Sequence, residues 1–358
     1  LNFKIINDNA YSKKMKHILV ALILVCGIAP VFAQANCAQT LRLANSVYEQ
    51  GRLHEIPTLL DDCLRGTNLD DAQKVQAYRL LTLTYIYLEE PEKADETMLK
   101  LLQTNHEFQI NEAVDPAEFV ALYKTFRTNP IYRLGGKAGV VITQPNVISS
   151  ETVVNGTSEY SYRLGFQAGV VGEIPITSKL ALNPELSFQG RSFKNIVTVN
   201  PGNGSNFEAE GIETQAWVSL PVQAQYEFWQ KKNVYYVASG FSVDYLLSSN
   251  VTITRLRGEF SAVDERSFDL REQRNKTNYA WLLSAGLKRK TGPGLVVVEA
   301  RYWWGLRAAL TKEDVFENQP MINDYHYVDA LFNLRALTIS AGYVLNIYNP
   351  KKLSAQKK

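Results

Sequence analysis

Gln215-Ala216-Trp217-Val218-Ser219-Leu220-Pro221-Val222-Gln223-Ala224-Gln225-Tyr226-Glu227-Phe228 alternates side chain by side chain. Ala216, Val218, Leu220, Val222, Ala224, Tyr226 and Phe228 fall on one face of a strand; Gln215, Ser219, Gln223, Gln225 and Glu227 fall on the other. A period of two marks a half-buried strand. The run is also long enough to cross a bilayer at a tilt, which takes roughly 9–11 residues.

Seven more such runs surround it, giving eight at 131–146, 158–174, 179–198, 212–229, 233–253, 277–290, 294–311 and 332–348. In the second, Tyr160, Tyr162, Leu164, Phe166, Ala168 and Val170 oppose Ser161, Arg163, Gly165, Gln167 and Gly169. In the seventh, Val296, Val298, Ala300, Tyr302, Trp304 and Leu306 oppose Glu299, Arg301, Gly305 and Arg307. A soluble barrel would hide its apolar face and a membrane barrel would turn it out. The polar face carries Lys137, Arg163, Glu185, Asp244, Lys288, Glu299 and Arg301 among many glycines. Opposite charges in a narrow interior are expected to pair there, and aromatics near strand ends suit interfacial girdles. Connections after the second, fourth and sixth runs are short and the others are long, which is the membrane-barrel rhythm. The fold expected is therefore an eight-stranded antiparallel transmembrane β-barrel over 130–348, with both ends facing the periplasm and a basic tail at 349–358.

The preceding segment has a period of 3.6. Leu41, Ala44, Val47 and Tyr48 share a face, as do Ile56, Leu59, Leu60, Cys63 and Leu64. Ala77, Leu80, Leu81, Thr84, Tyr85 and Leu88 form a third stripe, and Ala94, Met98, Leu101 and Leu102 a fourth. Gly51 and Pro91 punctuate two helical hairpins that repeat at roughly 35–40 residues. Ala44, Tyr48 and Gly51, then Ala77, Tyr85 and Ala94, lie near the small and aromatic packing positions of the tetratricopeptide repeat family, which residues 34–129 resemble without its usual early Trp. That resemblance implies partner binding; a compact spacer is the other reading. Asp115-Pro116-Ala117-Glu118 predicts a fifth helix with an acidic N-cap, and Phe119, Leu122, Tyr123 and Phe126 line it.

Further upstream, Lys13, Lys14 and Lys16 precede the apolar Ile18–Ile28 stretch and Val31-Phe32-Ala33. This reads as a signal peptide over 15–33 cleaved before Gln34, with 1–14 an upstream extension before Met15. The apolar run is too short, and too close to Pro30, for a transmembrane anchor. Export leaves Cys37 and Cys63 in an oxidising compartment. They sit where the open ends of an antiparallel hairpin meet, so a disulfide is expected, two buried free thiols being the alternative.

Several barrel stretches resemble the PorT-type outer-membrane barrel family of Bacteroidetes: Leu134-Gly135-Gly136-Lys137-Ala138-Gly139, Leu164-Gly165-Phe166-Gln167-Ala168-Gly169, Leu182-Asn183-Pro184-Glu185-Leu186-Ser187-Phe188, Val218-Ser219-Leu220-Pro221-Val222 and Ala300-Arg301-Tyr302-Trp303-Trp304-Gly305-Leu306. The final strand ends in Ile347-Tyr348, similar to an aromatic-ended barrel-assembly signal. The resemblance implies an outer-membrane location, with relatives associated with the type IX secretion system.

The 358-residue chain has a net charge of +2, which implies no bulk attraction to nucleic acid. Its 4 histidines avoid every strand, so a hydrolytic or acyl-transfer site with a positioned base is disfavoured. Asp324, His326 and Asp329 are read as a solvated loop rather than a metal cluster, and no catalytic, metal or cofactor site is expected. The alternating charges from Arg255 to Arg274, flanked by Val251, Ile253 and Phe260, suggest a charge-balanced hairpin above the membrane. The leading expectation is a non-enzymatic barrel, embedded in outer-membrane lipid, that anchors a periplasmic helical domain. Residues 36–127 would bind an envelope partner, within a secretion or envelope-assembly complex. A surface receptor or adhesin using the long loops is the alternative, with a solute channel behind it because eight strands leave little room for water.

Overall fold

The computed structural model describes residues 31–66, 69–150, 156–200, 207–229, 233–257, 265–311 and 313–353. The expected upstream extension, the signal peptide up to Pro30, and Phe260 lie outside these residues. The chain divides into two units: one holds the residues up to Asn129 and those from Asn349 onward, the other is Pro130–Tyr348.

The helical unit contains α1 (Val31–Glu49), α2 (Ile56–Arg65), α3 (Asp71–Tyr87), α4 (Pro91–Thr104) and α5 (Ala117–Lys124). Gly51 closes α1 with φ +74°, a conformation that strains any residue carrying a Cβ. Asp70 starts α3 with a capping box: its carboxylate accepts the Gln73 N–H at 2.7 Å while the Gln73 side chain accepts the Asp70 N–H at 3.2 Å. Leu41, Ala44, Ile56, Leu60, Ala77 and Leu81 pack in one core, and Leu83, Met98, Leu101, Leu102, Phe119 and Phe126 in a second. Cys37 and Cys63 are joined by a disulfide, their Cα atoms 5.6 Å apart.

Asp115 does not cap α5, as the sequence suggested. It turns to Arg79 Nη2 at 2.6 Å and accepts the Asn111 N–H at 2.7 Å, so a charged partner across the core outcompetes the local cap. Its burial opposes ionisation, but these two hydrogen bonds hold the carboxyl below the usual range. The C-terminal tail belongs to this unit. Arg127 N–H donates to Lys351 O, Leu353 N–H donates to Thr125 O, and Phe126 pairs antiparallel with Lys352.

The second unit is an eight-stranded antiparallel barrel of outer-membrane type. Its strands are β1 (Tyr132–Ser150), β2 (Gly156–Pro175), β3 (Leu180–Val199), β4 (Phe207–Trp229), β5 (Asn233–Arg257), β7 (Thr277–Thr291), β8 (Gly294–Ala308) and β9 (Ala330–Ile347). Each pairs with the next, and β1 pairs with β9 from Tyr132↔Ile347 to Ser150↔Ala330, which closes the cylinder. The short β6 (Glu265–Asp269) pairs with the upper part of β5, so a hairpin does rise from the fifth connection. A helix absent from the sequence reading, α6 (Gln319–Tyr325), lies between β8 and β9.

The pleat changes polarity along its length. Through most of each strand the outward residues are apolar and exposed, for example Val140, Leu186, Leu220, Val243, Val298 and Ile339. The inward ones are polar and buried, for example Gln167, Gln189, Ser219, Gln223, Ser284 and Thr338. Towards the loop end the pattern inverts: Val197, Val199, Ala209, Val251 and Ile253 turn inward and are buried, while Lys194, Glu210 and Thr252 turn outward. The first regime suits hydrocarbon outside, over a band about 25 Å tall; the second suits water outside.

The 26-residue separation of Cys37 and Cys63 sets the expected worth of their bond. Replacing both by Ser should destabilise the helical unit by about 3 kcal/mol. Thermal unfolding followed at the helical circular-dichroism band, with and without the substitution, measures this.

Candidate functional site

The lumen is the site with the most built chemistry, and charge organises it into levels. At the end where the first and last strands begin and finish, Arg133 (β1) and Lys288 (β7) meet Glu173 (β2) and Glu227 (β4). Arg133 and Lys288 both contact Glu173, and Lys288 Nζ lies 2.8 Å from Glu227. Next, Lys137 (β1) reaches Glu185 (β3) at 2.8 Å and Glu299 (β8) at 3.1 Å. Arg301 (β8) reaches the same two carboxylates at 2.8 and 2.7 Å. Tyr236 (β5) donates its hydroxyl to Glu299 at 2.7 Å. Its ring leaves no space for a Cβ on the facing residue, which is Gly286. Two cations and two carboxylates cancel at each of these levels, as ions removed from water require.

Above them Arg191 pairs with Asp244 at 2.8 Å. Its guanidinium lies 5.3 Å from the ring centroids of both Trp217 and Trp303, which hold it by cation–π attraction. Higher still, Arg274 is buried between Glu213 and Asp329, 2.6 Å from each. Residues 309–311 and 313–329 then fold into the mouth. Leu310, Val315 and Val328 pack on Phe193, Trp217 and Phe332, while Met321, Tyr325 and Tyr327 pack on Val197, Val251 and Ile253.

Of the residues expected in the lumen, Lys137, Glu185, Glu299 and Arg301 form one cluster, while Lys288 and Asp244 belong to other levels. Arg163 is not among them. The β2–β3 register shifts between Tyr162 and Phe166, and this bulge reverses the pleat. Tyr160 therefore points inward, against Phe193 and Phe332, whereas Tyr162, Arg163 and Leu164 are exposed on the outer wall. A second shift between Trp304 and Ala308 leaves Arg307 exposed as well. The sequence reading passed over Arg133, Glu173 and Arg191, which obey strict alternation and were open to detection. It also placed Arg274 and Asp329 in solvated loops. Their pairing depends on the chain folding back into the mouth, which no local pattern reports.

The helical unit carries a separate cavity of about 420 Å³ between α2, α3 and α4. Tyr78 and Tyr85 line it, with Arg65, Lys93 and Lys100 around the edge. Lys93 Nζ sits 5.4 Å from the Tyr85 ring centroid. Arg65 pairs with Asp61 at 2.8 Å and Lys100 with Glu96 at 2.7 Å. The hydrogen bond to Glu96 raises the Lys100 ammonium above its ordinary range, and the same bond lowers the Glu96 carboxyl. Partial burial raises the Tyr85 phenol. Exposed pairs of this kind hold weakly, so a ligand can exchange for either partner.

Residues 130–310 match the family model described as "Outer membrane protein beta-barrel domain". No curated protein matches the chain. Among solved structures, Neisserial surface protein A (NspA) aligns at 12% identity, covering 60% of this chain and 97% of that one, with a TM-score of 0.30. Ail, the attachment invasion locus protein of Yersinia pestis, in complex with the heparin analogue sucrose octasulfate, aligns at 12% identity over 60% of this chain and 99% of that one, TM-score 0.27. The outer membrane protein OprG from Pseudomonas aeruginosa aligns at 9% identity over 62% and 98%, TM-score 0.30. Likeness at this level carries no argument about function.

The central ion cluster makes a direct prediction. Glu299→Ala leaves two buried cations facing Glu185 alone and should cost the barrel about 3–5 kcal/mol, read as a lower urea midpoint for the protein refolded in lipid vesicles. An unchanged midpoint would show that water reaches this level freely. With its inward charges and outward apolar wall on the page, and residues 130–310 matched, the chain belongs to the outer membrane protein β-barrel domain family.

Proposed function

We infer that this protein is a non-enzymatic outer-membrane barrel whose helical unit is a periplasmic interaction domain, serving a secretion or envelope-assembly complex of the kind associated with PorT-type barrels. The observation that carries this reading is the cavity between α2, α3 and α4. It combines two tyrosine rings with exchangeable cations, in a unit that has its own cores and disulfide. Aromatic rings with flexible charge around them suit a peptide segment of a protein partner. The lumen supports the same reading from the other side. Its levels of neutralised charge, topped by Trp217, Trp303 and the 309–329 segment, make the barrel an anchor rather than a wide solute path.

The surface-receptor reading has one observation in its favour. The hairpin of β5 and β6 and the helix α6 build an ordered apolar-cored extension beyond the membrane band.

In-envelope crosslinking from a photoreactive residue at position 85 separates the two. Capture of one envelope protein, reduced at least tenfold by Lys93→Ala combined with Lys100→Ala, is the expected result. Capture that is indifferent to those substitutions, or confined to loop positions such as 268, would overturn the periplasmic reading in favour of the surface one.

A further inference from the structure

Six cations in the lumen have carboxylate partners: Arg133, Lys137, Arg191, Arg274, Lys288 and Arg301. A different set sits on the outer wall where the apolar band ends at the loop end. On β2, the bulge exposes Arg163 beside Tyr162 and Leu164. On β9, Arg335 is the first polar outward residue after Tyr343, Ala341, Ile339 and Leu337. On β8, Arg307 follows Tyr302, Trp304 and Leu306. The register places all three near one height, because Arg163 pairs with Thr143, Gln144 with Arg335, and Arg335 with Trp304.

Among the described residues, none of these three arginines has a carboxylate within ion-pair distance. Arg335 lies over Trp304, 4.9 Å from the ring centroid, and its Nε is buried without a hydrogen-bond partner. Arg307 donates only to the Thr277 carbonyl, at 3.1 Å. Elsewhere on the same rim the cations are matched: Lys194 by Glu210 at 3.0 Å and Lys276 by Glu272 at 2.8 Å. At this height, and among the described residues, the unmatched positive charge therefore lies on β2, β9 and β8, with β1 between them contributing the neutral Gln144.

We propose that this rim, centred on Arg163 and Arg335, binds the phosphate groups of anionic lipids lying against the β8–β9–β1–β2 wall. Guanidinium suits this, since it stays charged and grips phosphate oxygens through two donors. The position suits it too. Long cationic side chains at the edge of an apolar band reach the headgroup layer, and Trp281 and Trp304, 6.4 Å apart, mark that layer beside Arg335. One strand separates Arg163 from Arg335, so their backbones are about 10 Å apart. That spacing serves neighbouring headgroups on a surface better than one small anion held between converging donors.

The test uses the full chain refolded into phosphatidylcholine vesicles, with a Trp229→Phe background. Trp281 and Trp304 then face lipid while Trp217 and Trp303 face the lumen, so quenching by brominated lipid reports on this wall. Brominated phosphatidylglycerol should outcompete brominated phosphatidylcholine, by about fivefold for each arginine engaged. Arg163→Gln with Arg335→Gln should abolish the preference. Lys276→Gln, a cation already matched by Glu272, should leave it intact. Barrel circular dichroism shows whether each variant folds. Should the double variant not fold, the unsubstituted protein decides the matter, since high salt must erase the preference. Equal quenching by the two lipids in the unsubstituted protein, or an undiminished preference in the folded double variant or at high salt, overturns the proposal. So does loss of the preference on adding millimolar inorganic phosphate, which would make this a soluble-anion site.

Discussion

Lys137 and Arg301 against Glu185 and Glu299 tie three strands across the middle of the barrel, and Tyr236 adds a fourth. The constraint behind this cluster is that a charge in a narrow lumen walled by apolar surface has little water to lean on. It must find its opposite or stay neutral. Meeting that demand fixes which residues of β1, β3, β5 and β8 share a height. A slip of one residue on any strand would carry a charge to the lipid wall, at roughly 2–4 kcal/mol for Arg or Lys near the midplane, and leave its partner unpaired inside. Backbone pairing alone tolerates slips. The ion cluster supplies the register that the ladder does not.

The same reasoning explains why the pleat inverts. Where the outside is hydrocarbon, the polar face has only the lumen. Where the outside is water, the polar face returns outward and the lumen can be packed with Val197, Val251, Ile253 and the residues of α6. The extension beyond the membrane therefore needs a core of its own, and the 309–329 segment provides it. Arg274 goes deep within that region, and two carboxylates buried beside it meet its charge. Asp329 lies just before β9, so the fold of the long loop and the start of the last strand are locked by one guanidinium.

Much of this was legible in the sequence, because alternation is a direct image of the pleat. The eight strands, their closure and the charge content of the interior all follow from period two. Two placements on the inward face failed for one cause. Arg163 and Arg307 lie within register shifts, where extra residues break the alternation. The sequence carries no mark of such a bulge in Tyr162-Arg163-Leu164-Gly165, except that a glycine there lowers the cost. In the helical unit the periodic stripes predicted the cores well, yet Asp115 was misjudged. Its local context spells a helix cap, and only the distant Arg79 says otherwise. The helix α6 escaped notice for a related reason. Its seven residues make sense only against the barrel wall that buries Met321 and Tyr325.

Arginine meets both the lumen and the outer rim in this one chain, and its partners differ accordingly. Arg301 in the lumen has two carboxylates, Arg191 has a carboxylate and two indole faces, and Arg335 on the outer rim has one indole face alone. The order follows the cost of isolation. A guanidinium deep in the barrel with one neighbour missing is strongly destabilising, while one at a wet interface loses little. Neutrality inside is thus a condition for folding, whereas the uncompensated charge at the rim is free to be used. A barrel built this way can change the charges at its wet rim at little cost to its stability.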